Sequence, residues 1–98
     1  MSKPRYYWYN IVKGLIKKSK HIEDISLQST ILNTAMIQAE KETLKLPNGE
    51  LRMKAVKELL IDQTSTIERV CDEVNYQERT VQGWISSYVN MVGKKAGY

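Results

Sequence analysis

Ninety-eight residues, 42% of them apolar, suffice for one globular domain near the lower size limit of a single hydrophobic core and leave no room for a second catalytic or regulatory domain. One cysteine (Cys71) and one histidine (His21) exclude an internal disulfide and a four-ligand zinc site, and no apolar run is long enough to span a bilayer. The formal charge of +4 is unevenly placed: Lys3, Arg5, Lys13, Lys17, Lys18 and Lys20 precede the first acid, whereas acids slightly outnumber bases from residue 21 onward. That front end suits an anionic partner, although lysines solvating the outer face of an amphipathic helix give the same composition. With a lone cysteine, and with Tyr6–Tyr9 and Lys13 breaking any signal-peptide core, the expectation is a soluble cytoplasmic protein.

Apolar residues recur at helical spacing nearly throughout and strand signals are absent, so the chain reads as one all-α domain (1–98) of about five helices. The first is expected over 4–19, with Pro4 in its first turn and Trp8, Ile11, Val12, Leu15 and Ile16 as its apolar stripe. Lys13, Lys17 and Lys20 share another face, and Gly14 permits close packing at a small cost in helix stability. A second helix is expected over 26–45, with Leu27, Ile31, Ala35 and Ala39 inward and Leu32 and Met36 beside them. Leu46-Pro47-Asn48-Gly49 stops it, because proline excludes the preceding residue from helix and Asn-Gly favours a turn. A third spans 50–62, turning Leu51, Ala55, Val56, Leu59 and Leu60 inward and completing an N-terminal helical section at 1–62. Gln63-Thr64-Ser65-Thr66 then offers capping side chains for a short fourth helix to Val74, with Ile67, Val70, Cys71 and Val74 on one face. The last is expected from Gln77 to Val92, with Val81, Trp84, Ile85, Tyr88 and Val92 inward, Gly93 ending it and the tail from Lys94 loosely held.

The segment 64–92, and TIERVCDEVNYQERTVQGWI within it, has the pattern of a helix-turn-helix. Two short helices that cross around a tight turn need a small residue at the crossing, a left-handed-tolerant residue at the turn and apolar positions converging from both sides. Cys71, Asn75, and the set Val70, Val74, Tyr76, Val81 and Trp84 meet these needs in register. In such motifs the second helix enters the DNA major groove by its N-terminal end. The outward side chains are then Gln77, Glu78, Arg79, Thr80, Gln82 and Ser86, with Arg79 suited to guanine and Gln77 or Gln82 to adenine. Lys94 and Lys95, and Lys13, Lys17, Lys18 and Lys20 of the first helix, are candidates for phosphate or partner contacts. Against strong binding stand Glu78, which phosphates repel, and Gly83, which places no side chain where a long one would reach the backbone. An ordinary packed helix pair would show the same outward polar residues.

No glycine-rich phosphate loop, nucleophile elbow or metal-ligand spacing is present, so an enzyme and a bound cofactor are not expected. Cys71 reads as a small core residue and His21 as a solvent-facing one. Because the chain has no Phe, Tyr6–Tyr9 read as core anchors in preference to base-stacking or membrane-surface residues.

Three stretches, YYWYNIVKGLIKK near the start, KLPNGELRMKAVKELL in the middle and YQERTVQGWISSYVNMVGKKAGY at the end, together resemble the RinA/ArpU-like transcriptional regulators of phages and prophages of Gram-positive bacteria. The resemblance covers nearly the whole chain, and GKKAGY after the last helix is its most distinctive piece. It implies an activator of late phage genes whose C-terminal part is similar to the promoter-reading helix-turn-helix of sigma factors, with Arg79, Thr80 and Gln82 facing DNA and Trp84 anchoring the reading helix. Two positions depart from the family pattern: Gln77 stands where a serine cap is common, and Gly83 where a basic residue is typical. The expected function is a phage transcription regulator binding double-stranded DNA, as a homodimer on paired half-sites. The alternatives are a protein-interaction module contacting RNA polymerase, a sigma factor or another phage protein, and a small terminase-type packaging protein.

Overall fold

A computed structural model describes residues 8–18 and 27–97, with side chains from residue 30 onward in the second stretch. Among these residues the chain is all-α: α1 (Tyr9–Lys18), α2 (Leu27–Leu44), α3 (Gly49–Val56), a wide π-helical turn (Lys57–Ile61), α4 (Ile67–Val74) and α5 (Glu78–Lys95). The expected first turn at Pro4, the connection through His21–Asp24, and Tyr6, Tyr7 and Lys20 lie outside the described residues.

α5, about 27 Å long at the usual helical rise, is the axis of the domain. Its first half gives Val81 and Trp84 to an apolar cluster with Ala55 of α3 and Val70 and Val74 of α4. Its second half gives Ile85, Tyr88, Val89 and Val92 to a larger cluster with α1, α2, α3 and the π turn. Leu59 of the π turn packs against both. The five inward residues expected on α5 are all buried.

The stripes of α1 and α2 are rotated from those expected. On α1 the buried edge is Trp8, Tyr9, Val12 and Ile16, while Ile11 is 55% exposed. The cause is Tyr9, whose ring is buried and whose hydroxyl is 3.0 Å from Ser86 Oγ on α5, which turns Ile11 outward. On α2 the buried edge is Leu32, Ala35, Ala39 and Thr43, and Ile31 lies exposed beside it. Two alanines on this edge let α2 and α5 approach closely. Two polar side chains between them are paired, with Thr43 Oγ1 donating to Met91 Sδ at 3.8 Å and Tyr88 OH to the Met36 carbonyl at 3.5 Å.

The α2–α3 corner is built as its sequence demands. Leu46 O accepts from Gly49 N at 3.0 Å across Pro47 and Asn48, and Asn48 has φ 59°. Proline second and a left-handed Asn third are the preferences of a type II turn. Gly49 is obligatory for a separate reason: a Cβ there would lie 2.6 Å from the carbonyl oxygens of Thr43 and Leu44. The expected continuous helix over 50–62 is instead α3 followed by the π turn, closed by Asp62 N to Lys57 O at 2.7 Å and ended by left-handed Gln63 (φ 55°).

Gly93 does not end α5. The helix runs on to Lys95, and Gly97 (φ 93°) makes the turn beyond it. Gly93 is buried because the Trp8 ring lies where its Cβ would be. Gly93→Ala is accordingly expected to cost about 1–2 kcal/mol through overpacking, despite alanine's better helix propensity, and a chemical-denaturation midpoint measures it. Gly14 has nothing within 4 Å of an added Cβ, so the close packing expected there is absent.

Candidate nucleic-acid interface

Thr66 starts α4 in extended conformation, and its side chain accepts from Arg69 N. One face of the helix buries Val70 and Val74. It ends where Cys71 O accepts from both Asn75 N (2.9 Å) and Tyr76 N (3.3 Å), with Asn75 left-handed at φ 61° and ψ 43°. Three residues, Asn75 to Gln77, separate the two helices. Gln77 caps α5 by its backbone only: its carbonyl accepts from Thr80 N and Val81 N, and its side chain makes no capping bond. Cys71 is half-buried beside the cluster; burial pushes its thiol pKa upward, which disfavours the thiolate.

The turn is clamped from α3. Tyr76 stands edge-on to Trp84 with ring centroids 5.0 Å apart, and its hydroxyl accepts from Asn48 Nδ2 at 3.0 Å. Arg52 lies over the other ring system, 5.9 Å from the Trp84 centroid, while its Nε donates to Pro47 O at 3.0 Å. Sequence reading placed Tyr76 among the converging apolar residues, yet 38% of it is exposed; its apolar edge meets Trp84 and its hydroxyl reaches the α2–α3 corner. Asn48 reads in sequence only as a turn former and Arg52 carries no local signal, since no local pattern joins Asn48 to Tyr76, 28 positions on.

A second tie joins α3 to α4. Glu73 accepts from Lys54 Nζ at 3.1 Å and Arg69 Nε at 3.3 Å. The hydrogen bond from Lys54, aided by the positive charges of Lys54 and Arg69, holds the Glu73 carboxyl below its ordinary value, and the same bond with the negative charge of Glu73 holds Lys54 above its own. A depressed carboxylate pKa means that this contribution is full above the unfolded-state value and is lost as pH falls through the folded one. The melting temperature should therefore drop below about pH 4.5, and Glu73→Gln should flatten that limb of the curve.

The outward residues of the first turns of α5 are arranged as follows. Gln77, Glu78, Arg79, Thr80, Gln82 and Gly83 are exposed. Gln82 Nε2 donates to Glu78 Oε1 at 3.2 Å, and among the described residues Arg79 has no ion-pair partner. Open space lies around the Cβ position of Gly83. Ser86 is only half exposed and engaged by Tyr9, so it is held back from the surface. Lys94 is exposed but about 22 Å along the helix from Arg79. Lys95 turns back to Glu42 on α2 at 2.8 Å, which removes it from the outward face.

Lys13 and Lys17 of α1 come to the same place as Gln82. They line one cleft of about 290 Å³ with Tyr9, Gln82, Ile85 and Ser86, floored by Leu59, Leu60 and Ile67. Gln63 Nε2 fixes this end of α1 by donating to Lys17 O at 3.1 Å. Lys18 is exposed. The outer side of α4 carries exposed Glu68 and Asp72, and Glu78 follows on α5.

Among the described residues no group of three or more His, Cys, Asp or Glu side chains is placed to hold a metal ion, and no helix is long and apolar enough to cross a membrane. Comparison with protein-family models, with curated proteins and with solved structures gives no match for this chain.

Proposed function

We propose that this chain binds duplex DNA through α4 and α5, with the first turns of α5 in the major groove and Lys13 and Lys17 of α1 on flanking phosphates. The observation that carries the reading is the convergence of two sets of residues far apart in sequence. Exposed Gln77, Arg79, Thr80 and Gln82 stand on the N-terminal end of a deeply anchored helix, and the two lysines share a cleft with Gln82. Bidentate side chains on a rigid helix supply base recognition, and adjacent ammonium groups supply phosphate neutralisation. Left-handed Asn75 and the three-residue link are the backbone features that a helix-turn-helix requires. Thr80 serves as a phosphate contact, and Lys18 and Lys94 as peripheral ones. On this reading the protein regulates phage or prophage transcription in the cytoplasm, as its resemblance to the RinA/ArpU-like regulators implies. The reading assigns it no catalytic role.

Paired half-sites call for a homodimer. The outward side of α2, where Ile37 is 55% and Leu44 47% exposed, is the surface on which we place its contact. Ring-forming assembly in solution would instead favour a small terminase-type packaging protein.

The test is binding to random duplex DNA across a salt series. Affinity is expected to fall steeply with salt. Replacing Lys13 and Lys17 by alanine is expected to weaken all sequences alike and to lower the log–log salt slope by about 2. A wild-type protein with no measurable binding at low salt sinks the reading. The second reading, a protein-interaction module that contacts RNA polymerase, a sigma factor or another phage protein, then takes its place. It draws on the acidic run Glu68, Asp72 and Glu78 beside the turn and on Gly83.

A further inference from the structure

We propose that Arg52 and the Tyr76 hydroxyl take a backbone phosphate of duplex DNA on the side of α5 away from α1. This contact presupposes the DNA reading and extends it, since the reading helix then has a phosphate contact on each flank. A helix seated in the major groove, about 12 Å wide, has a sugar–phosphate strand on either side. On α5, Gln82 and Ser86 stand one turn apart on the side toward α1, where Ser86 Oγ meets the Tyr9 hydroxyl at 3.0 Å. Thr80 and Trp84, also one turn apart, stand about 160° around the helix from that pair, with exposed Arg79 and Gly83 between. The α1 side faces one strand, and whatever lies beside Thr80 and Trp84 faces the other.

What lies there is the α2–α3 corner. Arg52 Cζ is 5.9 Å from the Trp84 ring centroid, and the Tyr76 and Trp84 centroids are 5.0 Å apart. Arg52 is half-exposed and has no ion-pair partner among the described residues. Its one side-chain hydrogen bond there runs from Nε to Pro47 O, which leaves both terminal nitrogens to donate outward. The ring and the carbonyl hold the guanidinium in place before a ligand arrives, so little freedom is lost on binding. The Tyr76 hydroxyl accepts from Asn48 Nδ2, and its own proton has no acceptor among the described residues. A guanidinium fork and a hydroxyl donor are groups suited to a phosphate. Tyr76, Gln77 and Thr80 line one concavity with Asp72 on its α4 side, so an anion seats toward α3, where Arg52 stands.

The experiment is fluorescence anisotropy with random duplex DNA across a salt series. It compares the full chain with Arg52→Gln, Arg52→Lys, Tyr76→Phe and Asn48→Gly, and a thermal melt of each variant checks its fold. Arg52→Gln is expected to weaken binding about five- to tenfold at about 0.1 M salt and to lower the log–log salt slope by about 1. Arg52→Lys, which keeps the charge and gives up the fork, is expected to restore the slope. Tyr76→Phe is expected to weaken binding about threefold or more with the slope unchanged, since a neutral donor releases no counterion. Asn48→Gly breaks the same internal bond but keeps the left-handed backbone and the hydroxyl, so it is expected to weaken binding less. A folded Arg52→Gln variant with wild-type affinity and slope overturns the proposal. So do Gln and Lys variants that lose affinity alike at an unchanged slope, which is the behaviour of a brace alone. If Arg52→Gln does not fold, the Tyr76→Phe and Asn48→Gly pair decides, with unequal losses in support and equal losses against. A wild-type protein that binds no duplex at low salt sinks the DNA reading and this contact together. Steep salt dependence in the wild type with any of the failures above sinks this contact alone.

Discussion

Trp84→Ala is expected to destabilise the protein by about 3–5 kcal/mol. The indole is buried among Ala55, Val70, Val74 and Val81, so its removal leaves a cavity where three helices meet. It also takes away the partner of the Tyr76 ring and the surface under Arg52, and with them the clamp between the α2–α3 corner and the α4–α5 turn. A domain of this size has about 5–15 kcal/mol of stability to lose, so the variant should be partly unfolded at physiological temperature. Denaturant unfolding followed by the fluorescence of the remaining Trp8 measures the change. A loss below about 1.5 kcal/mol would mean that the α4–α5 unit does not depend on this ring. Tyr76→Phe, which keeps the edge contact and removes only the bond from Asn48, should cost about 1 kcal/mol or less.

The second large effect is on recognition. Arg79→Ala is expected to weaken binding to a cognate site by about 1–3 kcal/mol, roughly 5- to 150-fold, while leaving stability within about 0.5 kcal/mol of wild type. Arg79 is exposed in the first turn of α5, so its guanidinium can meet the two acceptors of guanine without breaking an internal contact among the described residues. Arg79→Lys separates two causes: it keeps the charge and loses the planar fork. A base-reading Arg79 predicts that lysine restores non-specific affinity but not preference for the site. Selection of bound fragments from phage genomic DNA supplies the cognate sequence, and a fluorescence-anisotropy titration at fixed salt gives the comparison. Equal loss on cognate and random duplexes would reassign Arg79 to phosphate contact.

Much of the architecture was readable residue by residue. Pro47-Asn48-Gly49 requires a break, and the structure turns there for the steric reasons proline and a left-handed Asn impose. Asn75 is equally explicit, with its left-handed backbone between two amphipathic segments. The inward side of α5 was legible, with all five expected residues buried and Val89 beside them, because one long helix buried along one side keeps a single period over its length. Helical periodicity gave less for α1 and α2. It counts Ile11 and Ile31 as better core residues than Tyr9 or Thr43, whereas here the hydroxyls of Tyr9 and Thr43 find partners on α5 and their carbon frames take the buried positions. Gly93 misled for a related reason. A glycine after an apolar stripe reads as a helix end, and nothing local reveals that Trp8, 85 positions earlier, needs the space.

The candidate interface divides the same way. Gln77, Arg79, Thr80 and Gln82 were chosen by their spacing on one helix, and all four are exposed. Ser86 was chosen by the same rule and Lys95 for its charge, yet Tyr9 and Glu42 hold them. The sequence by itself determined where the chain breaks between α2 and α3 and between α4 and α5, which side of α5 is inward and which short segment has the helix-turn-helix pattern, because backbone sterics and helical periodicity act over a few residues. Tertiary structure alone decided that Lys13 and Lys17 stand beside Gln82, that Asn48 and Arg52 brace the turn, and that the π turn lines a cleft between α1 and α5. These are contacts between distant segments, set by how close-packed side chains fit, and no local pattern encodes that fit.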